Sequence, residues 1–251
     1  DEDTSLIYDL LATDIDDTDL SYSATVDGNA TVDITGSTLT VTPDDNYSGN
    51  IAVSITVSDG ELTDSGSFTL TVNPINDAPI ANGTSGETNE DQTVAISLTA
   101  SDIDGDNLTF SLDTDALNGS VVIDGSTASY TPTLNFNGSD TFTFIVSDGI
   151  LTDTQEVTVE VLPINDAPVA SDTSGTTDED ISLTLDLIGS DIDSSDLIYL
   201  VDQDSADGFV AITGSSATFT PDEDFNGATT FTYRVTDGEL TSSSATVSIT
   251  V

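Results

Sequence analysis

The sequence has no cysteine, histidine, methionine or tryptophan, and its single basic residue is Arg234. Without cysteine there is no disulfide framework and no thiolate metal site. Without histidine, cysteine and lysine there is no histidine-based triad, no cysteine nucleophile and no Schiff-base lysine. A glycosidase needs only two carboxylates, but sugar sites usually offer a stacking surface, and tryptophan is absent. We therefore predict that the chain is not an enzyme.

Negative charge dominates the composition of the chain. The 251 residues include 47 Asp and Glu, and the formal net charge is −46. Nucleic acids and anionic membrane surfaces are bound through Lys and Arg, so neither is expected as a partner. No apolar run is long enough to cross a membrane, so no direct membrane insertion is expected. Clustered carboxylates repel one another, which leaves two interpretations. They either form a surface that merely keeps the protein soluble, or they bind cations.

The sequence repeats itself along its whole length. The segment Pro-Ile-Asn-Asp-Ala-Pro at residues 74–79 recurs 89 residues later at 163–168. A Thr-Pro pair and an Asp-Gly pair recur three times with the same period, and an Asp-Ile-Asp triplet recurs at 88 and then 89 residues. We predict three domains, residues 1–78, 79–167 and 168–251, with the first domain N-terminally incomplete.

Hydrophobic residues alternate with small polar ones throughout the repeats. Phe142, Phe144 and Val146 alternate with Thr and Ile, and Phe231, Tyr233 and Val235 repeat the pattern in the third domain. This period of two, rich in β-branched and aromatic residues, predicts half-buried strands, and Gly-containing turns separate them. About seven short strands per repeat and no helical run indicate an all-β chain of immunoglobulin-like two-sheet sandwiches. On this alternation Arg234 faces outward, as a surface residue.

Carboxylates and amides recur at fixed places near the predicted ends of the sandwiches. Each repeat carries Asp-X-Asp, and the Asn-Asp pairs lie in the Pro-flanked linkers. The pairs Glu90-Asp91 and Glu179-Asp180 are expected just before the first strands of the second and third repeats. Residues 102–113 begin like an EF-hand loop, but Asn107 stands where Gly is required and Asp113 where Glu is required, so no EF-hand is predicted. Taken singly, Asp-Gly is usually a turn, but the joint recurrence favours Ca²⁺ sites, since Ca²⁺ takes six to eight oxygen ligands.

These motifs resemble the cadherin-like tandem repeats of very large secreted bacterial adhesins of the RTX type. The resemblance rests on Asn-Phe-Asn-Gly-Ser-Asp-Thr-Phe at residues 135–142, on Val-Ser-Asp-Gly at 146–149 and on the linker Pro-Ile-Asn-Asp-Ala-Pro. It covers the chain three times. It implies cadherin-like sandwiches in an extended row, with Ca²⁺ bound at the junctions between them, in a cell-surface or secreted protein of biofilm adhesion.

The resemblance also implies a ligand set at each of two junctions. The ligands would come from four places: a Glu near the start of one domain, the linker, the Asp-X-Asp of the next domain and a late Asp of that next domain. For the first junction these residues are Glu2, Asn76, Asp77, Asp102, Asp104 and Asp148. For the second junction they are Glu90, Asn165, Asp166, Asp191, Asp193 and Asp237. Asp14, Asp16 and Asp59 would form half of a further site, and Glu179 would belong to another.

Three functions of different classes are compatible with this pattern. The first is a Ca²⁺-stiffened spacer in a surface adhesin, whose partners are the neighbouring repeats of the same chain. The second is direct binding of a glycan or of another copy of the protein. The third is a non-catalytic accessory region of a secreted hydrolase. The similarity of the three repeats favours the spacer, and the longest departure among them, residues 200–209, is the place to look for a binding role.

Overall fold

A computed structural model describes all residues, 1–251, as 24 β-strands without a helix. The predicted all-β class is confirmed. Thr, Val, Ile and Ser dominate the strands because their side chains suit a pleated, half-buried surface. The structure contains no helix with the length and apolar character that crossing a bilayer requires.

The strands fall into three units. The first unit contains β1 (Leu6–Asp9), β2 (Ser21–Val26), β3 (Ala30–Thr35), β4 (Thr38–Pro43), β5 (Gly49–Ser58) and β6 (Thr63–Val72). The second unit contains β7 (Ile80–Asn82), β8 (Thr84–Asn89), β9 (Val94–Ser97), β10 (Thr99–Ser101), β11 (Thr109–Thr114), β12 (Gly119–Asp124), β13 (Thr127–Pro132), β14 (Gly138–Ser147) and β15 (Thr152–Leu162). The third unit contains β16 (Val169–Ser171), β17 (Thr173–Thr176), β18 (Leu183–Asp186), β19 (Ile188–Ser190), β20 (Ile198–Gln203), β21 (Gly208–Thr213), β22 (Ser216–Pro221), β23 (Ala228–Thr236) and β24 (Ala245–Thr250).

Each unit has two main sheets, and every strand pairs only within its own unit. In the second unit the sheets have the orders β12-β13-β9 and β11-β14-β15-β8, and β7 pairs with β10. All these pairs are antiparallel except β8, which runs parallel to β15. The third unit repeats the scheme with β21-β22-β18, β20-β23-β24-β17 and β16-β19. The first unit has β3-β4-β1 and β2-β5-β6 and no counterparts of β7, β8 and β10.

The strand count differs from the expected seven per repeat. The first unit has six strands and the others have nine each. In the second unit the first strand is interrupted at Gly83, which separates β7 from β8, and the next is interrupted at Leu98, which separates β9 from β10. Joining each interrupted pair restores seven. Glu90 and Asp91 follow β8, which ends at Asn89, so the expectation that they precede the first strand of the second unit is wrong. In the third unit Glu179 and Asp180 likewise follow β17.

Three separate cores hold the units together, one between the two sheets of each. The second unit buries 12 apolar residues, the third 10 and the first only six, so the first unit has half the core of the second. Val157, Val159 and Val161 of β15 are all buried, as their alternation predicts. Arg234 faces outward on β23, also as predicted, and its Nε lies 2.9 Å from Asp202 Oδ1.

One buried carboxylate belongs to a core and not to a junction. Asp140 on β14 is 5% exposed. Its Oδ1 accepts a hydrogen bond from Leu117 N, and its Oδ2 accepts from Asn118 N and from the Tyr130 hydroxyl. Burial and this carboxylate raise the pKa of Tyr130. Asp140 therefore fastens the loop before β12 to the sandwich.

Replacing Asp140 with alanine is expected to destabilise the second unit by about 3 kcal/mol, because two backbone N–H groups and a hydroxyl lose a buried acceptor. Urea unfolding followed by NMR of second-unit resonances measures the loss. Tyr130→Phe is the matched control: it removes one donor only, should cost about 1 kcal/mol, and introduces the residue that the third unit already has at Phe219. Equal losses for the two variants would contradict the role given to the loop N–H groups.

Candidate metal centres at the two junctions

The linkers between the units are fastened to a buried glutamate. Glu2 donates its N–H to the Asn73 carbonyl at 3.0 Å, and its Oε1 accepts from Ile75 N at 2.5 Å. Glu90 does the same at the second junction, with the Leu162 carbonyl at 2.9 Å and with Ile164 N at 2.5 Å. The two glutamates are 4% and 3% exposed. Each linker therefore folds over the end of the preceding unit and covers a carboxylate.

The Asp-X-Asp loop of the following unit holds the other side of each linker. Asp102 Oδ1 accepts from the backbone N–H groups of Asp104 and Gly105 at 3.0 and 3.1 Å, which closes a local turn. Asp104 Oδ2 then accepts from Asp77 N of the linker at 2.8 Å. The second junction repeats this contact between Asp193 Oδ2 and Asp166 N at 2.6 Å. Residues of both units and of the linker thus meet at one place.

The linker amides pair with the late aspartates. Asn76 Nδ2 donates to Asp148 Oδ2 at 2.8 Å, and Asn165 Nδ2 donates to Asp237 Oδ2 at 2.7 Å. The other oxygen of Asp148 accepts from two backbone N–H groups of the following turn. These bonds, the one from Asn76 first, lower the pKa of Asp148, and the pKa of Asp237 is lowered for the same reasons. In this arrangement Asp148 and Asp237 orient the linkers through oxygens that are already hydrogen-bonded.

Several other carboxylate oxygens at the junctions are buried without a partner. Asp77 Oδ2 and Asp102 Oδ2 have none at the first junction, and the equivalent oxygens of Asp166 and Asp191 have none at the second. Glu90 Oε2 is a fifth such atom. A buried charged oxygen without a partner is costly, so native structures pair it or neutralise it. The unpaired oxygen atoms recur at equivalent positions of the two junctions, so the two junctions share one local arrangement.

The electrostatics of the linker aspartates agree with this arrangement. Burial raises the pKa of Asp77, and Asp104, Asp3, Glu2 and Asp102 raise it further. The pKa of Asp166 is raised in the same way, by burial first and then by the equivalent four carboxylates. Like charges at close range disfavour ionisation unless a cation lies among them.

The donor set fits a metal ion. Carboxylate oxygens of Glu2, Asp77 and Asp104 lie within 4.8 Å of one another, and so do those of Asp102, Asp104 and Asp106. All the donors are oxygen atoms, which hard divalent cations prefer over nitrogen or sulfur donors. Glu2, Asp77, Asp102 and Asp104 could therefore hold metal ions. At the second junction the equivalent residues are Glu90, Asp166, Asp191 and Asp193, three of which carry buried oxygens without a partner.

Some of these features were not predicted from the sequence. Asp3 and Asp91 belong to the charged clusters but were outside the predicted ligand sets, although each follows a predicted Glu directly. Asp106 is a third acid of the Asp-X-Asp loop. Glu179 of the third unit is exposed. Asp59 accepts from Glu61 N and Leu62 N, as Asp148 does in its own turn, and these bonds lower its pKa. Asp14 and Asp16 are exposed.

The repeats match a known family. The sequence model of the bacterial Ig domain matches residues 1–71, 76–160 and 165–250. The chain belongs to the bacterial Ig domain family. Its three bacterial Ig domains coincide with the three structural units, and the two junctions with their acidic clusters lie where one domain meets the next. No curated protein matches the chain.

Solved structures show the same fold for these bacterial Ig domains. Mouse protocadherin-24 EC1-3 is 16% identical, with a TM-score of 0.56 over 97% of this chain and 92% of that one. Drosophila N-cadherin EC1-4 is 17% identical, with a TM-score of 0.51 over 99% of this chain and 70% of that one. An endo-fucoidan hydrolase of glycoside hydrolase family 107 is 20% identical at a TM-score of 0.34, and this chain spans 42% of its length. At these identities the cadherin matches establish the tandem Ig/cadherin-like fold alone.

Proposed function

We propose that the chain is a row of Ca²⁺-binding spacer modules of a large bacterial surface adhesin of the RTX type, in which Ca²⁺ at the two junctions stiffens the row. The modules would be secreted, lie outside the cell, take part in biofilm adhesion and carry no catalytic site. The observation that carries the proposal is the set of buried, unpaired carboxylate oxygens on Asp77, Asp102, Asp166 and Asp191. A cation is the partner that such oxygens lack.

Calcium suits these junctions better than other common metals. The chain has no histidine or cysteine, so zinc and copper would lack their usual ligands. Ca²⁺ accepts six to eight oxygens in flexible geometry, whereas Mg²⁺ demands a near-octahedral set and keeps several waters. The Glu, linker Asp and Asp-X-Asp residues of each junction supply carboxylates from three segments. Sites of this kind in extracellular modules bind Ca²⁺ with dissociation constants of about 10⁻⁴ to 10⁻³ M.

The spacer mechanism follows from where the ligands lie. Glu90 belongs to the second unit, Asp166 to the linker, and Asp191 and Asp193 to the third unit. Without a cation these carboxylates repel across the joint, and the linker can pivot. With a cation bound, bending would separate ligands that share one ion. The partners of each module would therefore be its neighbours in the same chain.

Small-angle scattering with and without Ca²⁺ tests the spacer. Three modules whose strands span roughly 33 Å each should reach about 120 Å end to end when Ca²⁺ is bound. A compact globule of 251 residues would have a radius of gyration of about 18 Å, and the extended row should have nearly twice that radius. NaCl and MgCl₂ at matched ionic strength are the controls. A maximum dimension that ignores chelation would mean that the junctions are not Ca²⁺ struts.

A second candidate, direct binding by the third unit, has one observation in its favour. Ile198, Leu200 and Phe209 are 55%, 48% and 64% exposed. The second unit has Thr109, Ser111 and Ser120 at these positions, and the first has Ser21, Ser23 and Thr31. A dilution series in the same scattering experiment separates the two roles. The scattering curve of a spacer should not change with protein concentration, whereas that of a self-binding module should change.

A further inference from the structure

The free edge of β20 in the third unit differs from the equivalent edges of the other two units. β20 is the outermost strand of its sheet and pairs with β23 on one side only. Its outward-facing residues Ile198 and Leu200 are 55% and 48% exposed. β11 and β2 occupy the same edge in the second and first units, and both carry Ser or Thr at these two positions. In the third unit alone, two apolar side chains therefore lie beside this unpaired strand edge.

The edge of β20 is protected against pairing only at its ends. Residues 197–201 are all apolar and carry no charge. An unpaired edge strand of this composition is a template for pairing with another strand, and natural edges are usually protected by charges, by proline or by a bulge. Here Asp196 precedes the apolar run, and a bulge between Val201 and Gln203 follows it. Pairing with another strand is therefore confined to residues 197–201.

The single basic residue of the chain lies beside this edge. Arg234 is opposite Leu200 in the register of β20 and β23, and its Nε lies 2.9 Å from Asp202 Oδ1. At a net charge of −46, two copies of the chain repel each other wherever their carboxylates meet. At the edge of β20 the apolar run is uncharged and the charge of Asp202 is offset by Arg234. A second copy can therefore approach this edge with little repulsion.

A second copy also fits this edge by symmetry. Two copies of one strand can pair antiparallel about a two-fold axis, and residues directly opposite each other then lie on the same face of the sheet. With Tyr199 on the axis, Ile198 of each copy lies opposite Leu200 of the other, which gives two apolar cross-strand pairs. A shift of the axis to Leu200 places Ile198 opposite Asp202, and a shift to Ile198 places Leu200 opposite Asp196. The register centred on Tyr199 is therefore the favoured one.

We propose that the third unit binds a second copy of the chain through β20, which joins the four-stranded sheets of the two copies into one continuous sheet. The inference rests on the second candidate function, direct binding by the third unit, and names its partner; it does not require Ca²⁺ at the junctions. In the register centred on Tyr199, Asp196 of one copy faces Asp202 of the other, whose charge Arg234 offsets. Because the paired strands are antiparallel, the two chains run in opposite directions, as chains from two facing surfaces do.

Sedimentation velocity of the whole chain tests the self-association, from micromolar to millimolar protein, in EDTA and separately in CaCl₂. We expect dimers in both, in a fraction that rises with protein concentration. The fraction should rise further between about 50 mM and about 500 mM NaCl, because salt screens the repulsion between the two acidic chains. Hydrogen exchange should slow in β20 on dimerisation, and not in β11 or β2. A chain that stays monomeric at millimolar concentration in high salt would overturn this inference and self-binding by the third unit together, without bearing on the Ca²⁺ spacer.

A double variant tests the surface itself. Ile198→Thr with Leu200→Ser introduces the residues that β11 has at these positions, so the variant should fold. It removes both apolar cross-strand pairs and should weaken dimerisation at least about tenfold. Val122→Ala is the matched control: it shortens a residue of β12 that is 67% exposed, introduces the equivalent residue of β21, and should leave dimerisation unchanged. Equal dimerisation of the double variant and the natural chain would mean that self-binding uses another surface, and would overturn the proposal.

Single-cysteine variants test the register, because the natural chain has no cysteine. Chains with Ile198→Cys and chains with Leu200→Cys are oxidised separately and as a mixture. The mixture should give disulfide-linked dimers far more efficiently than either variant alone, because the two positions lie directly opposite each other when Tyr199 is on the axis. Efficient dimers of either variant by itself would place the axis on that residue, and the register centred on Tyr199 would be wrong.

Discussion

Adding Ca²⁺ to the chelated chain is expected to raise the midpoint of thermal unfolding by about 10 °C or more. A ligand that binds only the folded state stabilises it by mass action, by about 2.7 kcal/mol per site when the ligand exceeds its Kd about a hundredfold. One kcal/mol shifts the unfolding midpoint of a domain of about 60–100 residues by about 4–8 °C. The bound cation would offset the two causes that raise the pKa values of Asp77 and Asp166, which are burial first and then the neighbouring carboxylates.

Calorimetric scans in EDTA and in about 10 mM CaCl₂, which is a hundredfold above a Kd of about 10⁻⁴ M, measure this shift. General screening is a real alternative at a net charge of −46. Scans with NaCl and with MgCl₂ at equal ionic strength separate screening and any divalent ion from Ca²⁺. If NaCl reproduced the whole shift, the buried oxygens of the junctions would need no specific ion, and the Ca²⁺ proposal would fail.

The main strands could be predicted from the sequence because alternation and burial have the same cause. Phe142, Phe144 and Val146 point into the core of the second unit, and the residues between them face outward. The strand β8 gave no such signal. A Cβ on Gly86 would lie 2.5 Å from Ile96 Cδ1, so at this position the strand lies close against the core. The strand Thr84–Asn89 contains no apolar residue, so no alternation marked it, and Glu90 was assigned to the wrong side of it.

The candidate site was predictable in its location and less so in its detail. The resemblance to cadherin-like repeats implied twelve ligand residues, and the structure places all twelve at the two junctions. Which oxygen is free depends on hydrogen bonds between segments distant in sequence, and the repeat pattern carries no information on these. Asn76 and Asp148 illustrate this, since their 2.8 Å contact joins residues that only the fold brings together.

Glu90→Gln is expected to change the stability of the second junction in opposite directions with and without Ca²⁺. With Ca²⁺, losing one charged ligand should weaken binding at this junction at least about tenfold, which is about 1.4 kcal/mol. With EDTA, the variant should be as stable as the natural chain or more stable, since it removes a charge from a buried cluster. The amide oxygen can still accept from Ile164 N.

Glu179→Gln is the matched control, because Glu179 occupies the equivalent position of the third unit but is exposed. It should leave both Ca²⁺ binding and stability nearly unchanged. Isothermal titration measures the binding, and trypsin digestion measures the opening of the third unit. Arg234 is the single tryptic site and lies within β23, so cleavage requires that unit to open. Ca²⁺ should slow cleavage of the natural chain and of the Glu179→Gln variant, and should slow it much less for Glu90→Gln. Destabilisation of Glu90→Gln to the same extent in EDTA and in Ca²⁺ would mean that Glu90 holds the linker through Ile164 alone and binds no ion.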